Sequence, residues 1–482
     1  MTSPDQTPRK GSVLIYTIHR VEPWWAQIGR HMGYEKSVTV SDLRGEGDYS
    51  VVDDFYTAYH RFYRAEATSS PLLDEAQIDD IIARCRLLRW LPVRKATAMA
   101  LAMAEAFEKV LDAVRPAVIV AFPMDRYVSD VLERVGAARS IPFYELTASA
   151  VPNMSMLLYR GRLITRAAEP DPALVDKIAH DIADPLFTPA YVQGAERFTP
   201  AKWLKVFSYF QIRGWFFKGW SWLKRDPLGL HYMDAQSFLG HKPHLGDVRI
   251  CNMVEHDWRE TIKAFPMEKR LFIGLQLFPE ASIDYWIDDV PMIQHEDLLF
   301  DVAKVFIGAG YVILVKDHPL QFGFRQVALL NRLKTLPNVI LVPYEVSGNE
   351  ALDACGVNFT CTGTMGMQAA LTGKKSITTS CYYTTPEDFI HINTRAEVAG
   401  LPARVEATDV PADLGPRQRR IITNLLKGSF ASDFFSFQGF DAANPKPTVT
   451  ELGRQFGEAI ALLGDGGESW HARNPWPRAP DP

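Results

Sequence analysis

Between residues 271 and 380, short runs of β-branched and other apolar residues alternate with helix-length segments, and that spacing leaves few folds open. Residues 271–277 read as a strand that leads into Phe278-Pro279-Glu280-Ala281-Ser282. Residues 296–309 carry Leu298, Leu299, Val302, Val305 and Phe306 at helical spacing, the stripe of a helix packed on one face. Further strands are expected over 311–316, 338–342, 357–361 and 376–380, with a short helix at 349–355. Another helix opens at Thr362-Gly363-Thr364-Met365-Gly366 and stops at Gly373-Lys374. Strands separated by helix-length segments form a parallel sheet covered on both faces. Ligands of such sheets bind outside the carboxyl ends of the strands. The polar residues gather at those ends: Lys316, Asp317, His318 and Pro319 close one strand, and Thr362, Gly363 and Thr364 follow another.

The first 165 residues repeat the alternation. Residues 12–18 read as a strand ending at His19-Arg20, and helices are expected over about 53–65, 75–88 and 95–114. The last of these stops before Arg115-Pro116, because a proline ring disfavours helical backbone at the preceding residue. Residues 117–122 form a continuous apolar strand, Pro123-Met124-Asp125-Arg126 leads into a helix through Val135, and 141–146 is the next strand. The fold class is therefore α/β, with two Rossmann-like domains over 11–170 and 251–430 and a helical insertion in 171–250. Helical patterns at 417–426 and 449–463 are expected to finish the second domain and pack back on the first. Residues 1–10 and the Pro-rich end of 431–482 read as disordered tails.

A chain of 482 residues exceeds one ordinary core, so several domains are expected. Its 47% hydrophobic and 23% charged content is that of a soluble globular protein. A formal net charge of −5 supplies no global positive field to collect phosphates, which argues against a nucleic-acid partner. Cys85, Cys251, Cys355, Cys361 and Cys381 are scattered, with no CxxC pair, and read as buried small hydrophobes in a reducing compartment. The N-terminus lacks an apolar signal core, and no window reaches the ~20 uninterrupted apolar residues of a membrane span. A cytoplasmic protein is the expectation.

Residues 199–226 stand apart. Trp203, Phe207, Tyr209, Phe210, Trp215, Phe216, Phe217, Trp220 and Trp222 are interleaved with Lys202, Lys205, Arg213, Lys218, Lys224 and Arg225, with no acid before Asp226. One reading is a helical hairpin whose aromatics pack between the domains while the cations snorkel outward. The other is an interfacial segment, aromatics in the headgroup zone and cations on anionic lipid.

His318 follows a buried strand and precedes Pro319, which fixes the backbone there. Its ring N–H suits a phosphate oxygen, and Lys316, two residues earlier, points to the same side. A strand-end histidine satisfied by a neighbouring carbonyl is the structural alternative. Thr362, Gly363 and Thr364 offer hydroxyls and free backbone N–H groups to phosphate or carboxylate, although any capped helix looks similar. Two such devices at neighbouring strand ends strengthen one another. Asp125, Glu145 and His19, just after or within strands of the first half, are candidates for taking an acceptor proton, and each also has a structural reading. Glu280 either holds a sugar hydroxyl or caps the following turn. The acids of 284–289 lack a preceding apolar strand and read as a solvated loop. His391, Glu255-His256 and His295-Glu296 have no second ligand at useful spacing, so neither a metal nor a cofactor is expected.

Taken in order, Leu275-Gln276-Leu277-Phe278-Pro279-Glu280-Ala281-Ser282, Val315-Lys316-Asp317-His318-Pro319, and Thr362-Gly363-Thr364 with Ala369-Ala370-Leu371-Thr372-Gly373-Lys374 resemble the capsular polysaccharide biosynthesis (Kdo-transferase-like) family. Its members follow an LQ…PEAS, KxHP, S/T-G-S/T, A-GK order. The likeness covers residues 270–380; Asp317 replaces the usual Glu. Over 141–163 it is looser, resting on Glu145, Val151-Pro152 and Tyr159-Arg160-Gly161, with Thr147 where Gly is commoner. The resemblance implies a GT-B glycosyltransferase of surface polysaccharide assembly, its two Rossmann-like domains facing a cleft. It implies metal-independent transfer from a nucleotide-activated sugar, such as a CMP-linked 2-keto acid sugar like 3-deoxy-manno-octulosonic acid (Kdo). By that likeness Lys316, His318 and Pro319 contact the donor phosphate. Thr362, Gly363 and Thr364 hold phosphate or the sugar carboxylate, and Gln276 and Glu280 complete the donor site. The acceptor is then a glycan or lipid-linked glycan, met at the inner face of the cell membrane. Two alternatives stay open: a sugar-nucleotide 2-epimerase of the same shape, and a non-catalytic factor of polysaccharide assembly or export.

Overall fold

The computed structural model describes residues 9–18, 21–165, 169–184, 187, 197–223, 225–226, 228, 243–277, 281–318, 321 and 325–463. The chain forms two compact units, the first from 1–168, 226–233 and 427–482, the second from 169–225 and 234–426.

In the first unit, β1 (Arg9–Thr17), β2 (Tyr34–Ser41), β3 (Tyr49–Ser50), β4 (Val118–Ala121) and β5 (Phe143–Ala148) run parallel in the spatial order β3-β2-β1-β4-β5. β6 (Met154–Tyr159) extends the sheet antiparallel to β5 and carries β7 (Arg162–Leu163). The strand Ser429–Ala431 adds the far edge, antiparallel to β6. Strand order reverses between β1 and β4, which opens a crevice at their carboxyl ends. β1 is apolar over Val13, Leu14, Ile15 and Tyr16, where both its faces are covered. Val13 and Ile15 meet Trp24 and Trp25 of α1 (Glu22–His31), while Leu14 and Tyr16 join the core opposite, with Phe55 of α2 (Val52–Ala65). After α3 (Glu75–Arg84), the long α4 (Val93–Val114) buries alanines at 96, 98, 100, 102, 104 and 106. It packs between α2 and α5 (Tyr127–Ala138) and ends at Arg115, whose left-handed backbone (φ 48°) caps it just ahead of Pro116.

The expected helix at 449–463 is present as Pro447–Ala461 and packs on α1, back on the first unit, but it belongs to that unit rather than finishing the second. The reason lies in two glycines a turn apart. A Cβ at Gly453 or Gly457 would collide with the backbone of Ile28 or Met32, so only glycine allows this approach.

The second unit begins with α6 (Pro172–Ala183) and α7 (Pro200–Leu223). The latter is one continuous helix, which corrects the hairpin reading of 199–226. Among the described residues no helix is long and apolar enough to cross a membrane. The sheet that follows contains β8 (Arg270–Gly274), β9 (Val312–Lys316), β10 (Val339–Leu341), β11 (Val357–Phe359), β12 (Lys375–Thr378) and β13 (Ile390–His391). All pair parallel in the order β10-β9-β8-β11-β12-β13. Numbered from its own first strand this is 3-2-1-4-5-6, the Rossmann order, with its reversal between β8 and β11. Both units are thus Rossmann-like α/β folds. Residues 284–289 are not wholly a solvated loop. Ile283 and Ile287 insert into the core and carry the helix Ala281–Trp286 inward, burying Asp284. No disulfide joins the five cysteines; Cys85, Cys355, Cys361 and Cys381 are buried, and Cys251 is half-buried.

Candidate functional site

The crevice of the second unit lies where β8 and β11 end side by side. Gln276 sits two residues beyond β8 with its side chain buried against the turn that leaves β11. Its Oε1 accepts from the backbone N–H of Cys361 (3.0 Å) and Thr362 (3.1 Å) and from the Thr360 hydroxyl (3.3 Å). Its Nε2 donates to Thr362 Oγ1 (2.8 Å), which in turn donates to Ser282 Oγ (2.9 Å). The Gly363 N–H is taken by Thr360 Oγ1 at 3.2 Å. The turn was expected to hold its amides free for an anion, and here the structure differs. Buried N–H groups must be satisfied, and one long amide side chain satisfies two of them at once. Thr364 is half-buried, makes no capping bond with its side chain, and precedes a helix of only seven residues, Met365–Leu371.

At the end of β9 the polar groups are equally tied together. Asp317 is buried and accepts from the Tyr344 hydroxyl, from Arg325 Nε (3.1 Å) and from the His318 backbone N–H (2.8 Å). Arg325, also buried, reaches on to the Gln276 carbonyl (2.7 Å) and so joins the β8 and β9 ends. Lys316 folds inward: its Nζ donates to the carbonyls of Asp317 (3.1 Å) and Tyr344 (3.3 Å), over the Tyr344 ring. Burial lowers its pKa to about 8, so the ammonium is still charged at neutral pH. His318 is half-buried, and burial pushes its pKa down, outweighing the nearby Asp317. Its imidazole is a neutral donor at pH 7 rather than a cation. Pro319 and Glu280 lie outside the described residues.

In the first unit Asp125 follows β4 at the crevice beside β1. Arg126 Nε holds its Oδ1 at 2.9 Å, and its side chain keeps 21% of its surface exposed. Arg126, itself buried, also reaches Asp42 (3.4 Å), which accepts from the Tyr16 hydroxyl (3.0 Å). The chain Tyr16, Asp42, Arg126, Asp125 therefore spans the carboxyl ends of β1, β2 and β4. Glu145, on β5, is fully buried. One oxygen accepts the Arg160 backbone N–H (3.2 Å) and the other has no hydrogen-bond partner among the described residues. Burial raises its pKa to about 7. In this conformation it offers no face to a substrate. His19 lies outside the described residues.

Sequence reasoning missed Arg325, Tyr344, Asp42 and Arg126 as parts of these clusters. It also missed a buried network in which Arg160 pairs with Asp130 and with Glu133 (2.9 Å), Arg134 with Asp130 (2.9 Å), and the Tyr159 hydroxyl with Glu133 (2.7 Å). The signal was the charged stripe Asp130, Glu133, Arg134 on α5, a helix otherwise apolar.

No protein-family model matches the chain, and no curated protein matches it. Among solved structures it is similar to the β-Kdo 2,7 transferase of Thermosulfurimonas dismutans KpsC, at 12% identity over 74% of this chain and 89% of that one, with a TM-score of 0.32. The β-Kdo 2,4 transferase of the same KpsC is similar at 11% identity over 72% and 88%, TM-score 0.31. UDP-GlcNAc 2-epimerase from Neisseria meningitidis, bound to UDP-GlcNAc, is similar at 9% identity over 86% and 94%, TM-score 0.25. Likeness at this level carries nothing about activity.

Proposed function

We propose that this chain is a glycosyltransferase that holds a nucleotide-activated sugar, of the CMP-Kdo class, at the strand ends of its second unit. One observation carries the reading. Gln276, Asp317, Arg325 and Thr362, brought together from β8, β9, β11 and the segment after β9, form a single hydrogen-bonded cluster at the strand-order reversal. Open α/β sheets bind their ligands at such a reversal. Gln276, Asp317 and Thr362 fall on the motif order that resembles the capsular family, and Arg325 joins them from outside it. In this reading the neutral His318 ring donates to a phosphate oxygen, and Lys316 supplies positive charge from below. Thr364, half-buried and with no capping bond from its side chain, offers its hydroxyl to the phosphate or the sugar carboxylate. Fixed donors and cations of this kind stabilise the departing phosphate as its charge develops, the role a metal has in other transferases. Asp125, the partly exposed carboxylate of the first-unit crevice, takes the proton of the acceptor hydroxyl. The acceptor is a surface glycan, free or lipid-linked, met at the cytoplasmic face of the membrane.

The test is a thermal-shift panel of CMP, UDP, GDP and their sugars on the native chain and on His318→Ala. A ligand at a hundredfold its Kd raises stability by about 2.7 kcal/mol. One nucleotide should raise the melting temperature, and less so in the variant. If none does, the donor site is refuted. The satisfied amides of Cys361, Thr362 and Gly363 favour a second reading, a non-catalytic assembly or export factor. That reading wins if capsule production depends on the chain but survives His318→Ala. Turnover of nucleotide sugar without acceptor would instead indicate an epimerase.

A further inference from the structure

We propose that the outer face of α7 lies in the plane of an anionic membrane surface, as an interfacial helix. The inference stands on the helix alone and holds whether or not the chain transfers sugar. α7 buries one narrow stripe, Trp203, Gly214 and Ser221, residues eleven and seven apart that fall on one line of a helix. Val206 packs beside that stripe on the second unit's core, and Gln211 Nε2 is anchored on the Pro243 carbonyl at 3.2 Å. The opposite half faces solvent with large apolar side chains. Ile212 is 68% exposed, Trp215 76%, Phe216 59% and Trp222 80%. Leu204 and Tyr209 continue the face toward the first turn, 53% and 55% exposed.

So much aromatic surface is far more than scattered exposed apolar residues account for. Its cations say what covers it. Lys202 and Lys205 flank the first turn, and Arg213 and Lys218 lie at the two edges of the apolar face. Lys218 Nζ sits 5.4 Å from the Trp215 ring and Arg213 5.1 Å from Phe217, their stems laid along the aromatics with the charge at the rim. No acid occurs in residues 200–223, so two copies of this face would set cation against cation. An anionic lipid surface matches both halves of the pattern: indoles seek the headgroup zone, and cations the lipid charge. At ~1.5 Å per residue, a helix of 24 residues lays down a contact roughly 36 Å long.

Flotation of the full chain with vesicles of phosphatidylcholine alone, and of phosphatidylcholine mixed with phosphatidylglycerol, is the test. The native chain should float with the mixed vesicles and lose that binding as salt rises. Lys202→Gln, Lys205→Gln and Lys218→Gln together should weaken partition onto the mixed vesicles by roughly a hundredfold, about fivefold per cation. Trp215→Ser, Phe216→Ser and Trp222→Ser together should abolish flotation with either vesicle. These side chains are exposed, so both variants should melt with the native chain, and unchanged melting establishes that each is folded. Absence of native flotation, or equal flotation of the aromatic variant, overturns the proposal. So does a self-associated native chain that the aromatic variant converts to monomer without any vesicle binding.

Discussion

Glu145 provides the sharpest physical test of the first unit. Its carboxyl is fully buried, keeps one oxygen without a partner among the described residues, and is raised by burial from 4.5 to about 7. The backbone N–H and charge of Arg160, with the backbone N–H of Met124, oppose that rise without cancelling it. A group whose folded pKa exceeds its unfolded one binds more protons in the native state between the two values. Stability is therefore complete below about 4.5, falls as pH climbs, and reaches its floor above about 7. A difference of about 2.5 units corresponds to about 3 kcal/mol at ~1.36 kcal/mol per unit. Glu145→Gln keeps the shape and the acceptor but cannot ionise. It should match the native chain near pH 4.5 and exceed it by about 2–3 kcal/mol at pH 8. Urea unfolding at both pH values measures that gap. Infrared difference spectra measure the cause, a protonated carboxyl band that bleaches near pH 7 in the native chain and is absent from the variant. Parallel loss of stability in both proteins, with no such band, would refute the burial argument.

Two further outcomes follow from the same reasoning about buried polar groups. Gln276→Ala leaves the buried amides of Cys361 and Thr362 without an acceptor, at about 1–3 kcal/mol each, so the second unit should lose roughly 2–6 kcal/mol. Gln276→Glu retains the acceptor and should lose less, which hydrogen exchange at the two amides would distinguish. Arg160→Ala leaves Glu133 buried without a countercharge, held by the Tyr159 hydroxyl alone, and Asp130 with Arg134 alone, and should lower the stability of the first unit by about 3–5 kcal/mol, read from urea midpoints. Although burial pushes it up, Arg134 and Arg160 hold the Asp130 carboxyl down at about 2. Its stabilisation is therefore present above 3.8 and lost as pH falls toward 2, and the acid limb of the pH–stability curve should flatten in the variant.

Where a strand is buried on both faces, its identity is written in composition alone. Val312–Lys316 and Arg270–Gly274 are such runs, and the turns after them could be located without a structure. Strand ends were less legible. Leu275, Gln276 and Leu277 continue the apolar run but leave the ladder, because Gln276 turns aside to hold the β11 turn. That partnership spans 86 residues of sequence, and no local pattern shows which amides a distant side chain will occupy. Arg325 and Tyr344 escaped notice for the same reason, each bound to Asp317 from a loop outside the motif order. The stripe Asp130, Glu133, Arg134 has the spacing of a solvated helix face and becomes interior only because Arg160 arrives from the end of β6 to neutralise it. In α7, Gly214 and Gly219 look like a place to turn, yet Gly214 lies in the buried stripe and the helix runs straight through. Its aromatic and cationic content was plain from sequence; which half would face outward was not.

The late position in the chain of the first unit's last strand and helix has a bearing on synthesis. As the ribosome delivers this chain, everything the second unit needs, up to residue 426, has emerged before Ser429–Ala431 and Pro447–Ala461 exist. Until then β6 presents an open edge over Met154–Met156, and Trp24 lacks Ser436, to which its indole N–H is bonded at 3.1 Å, as well as the rings of Phe434 and Phe437. The portion translated earliest is thus the portion completed latest. A nascent or prematurely terminated chain carries a sticky strand border that a chaperone must shield.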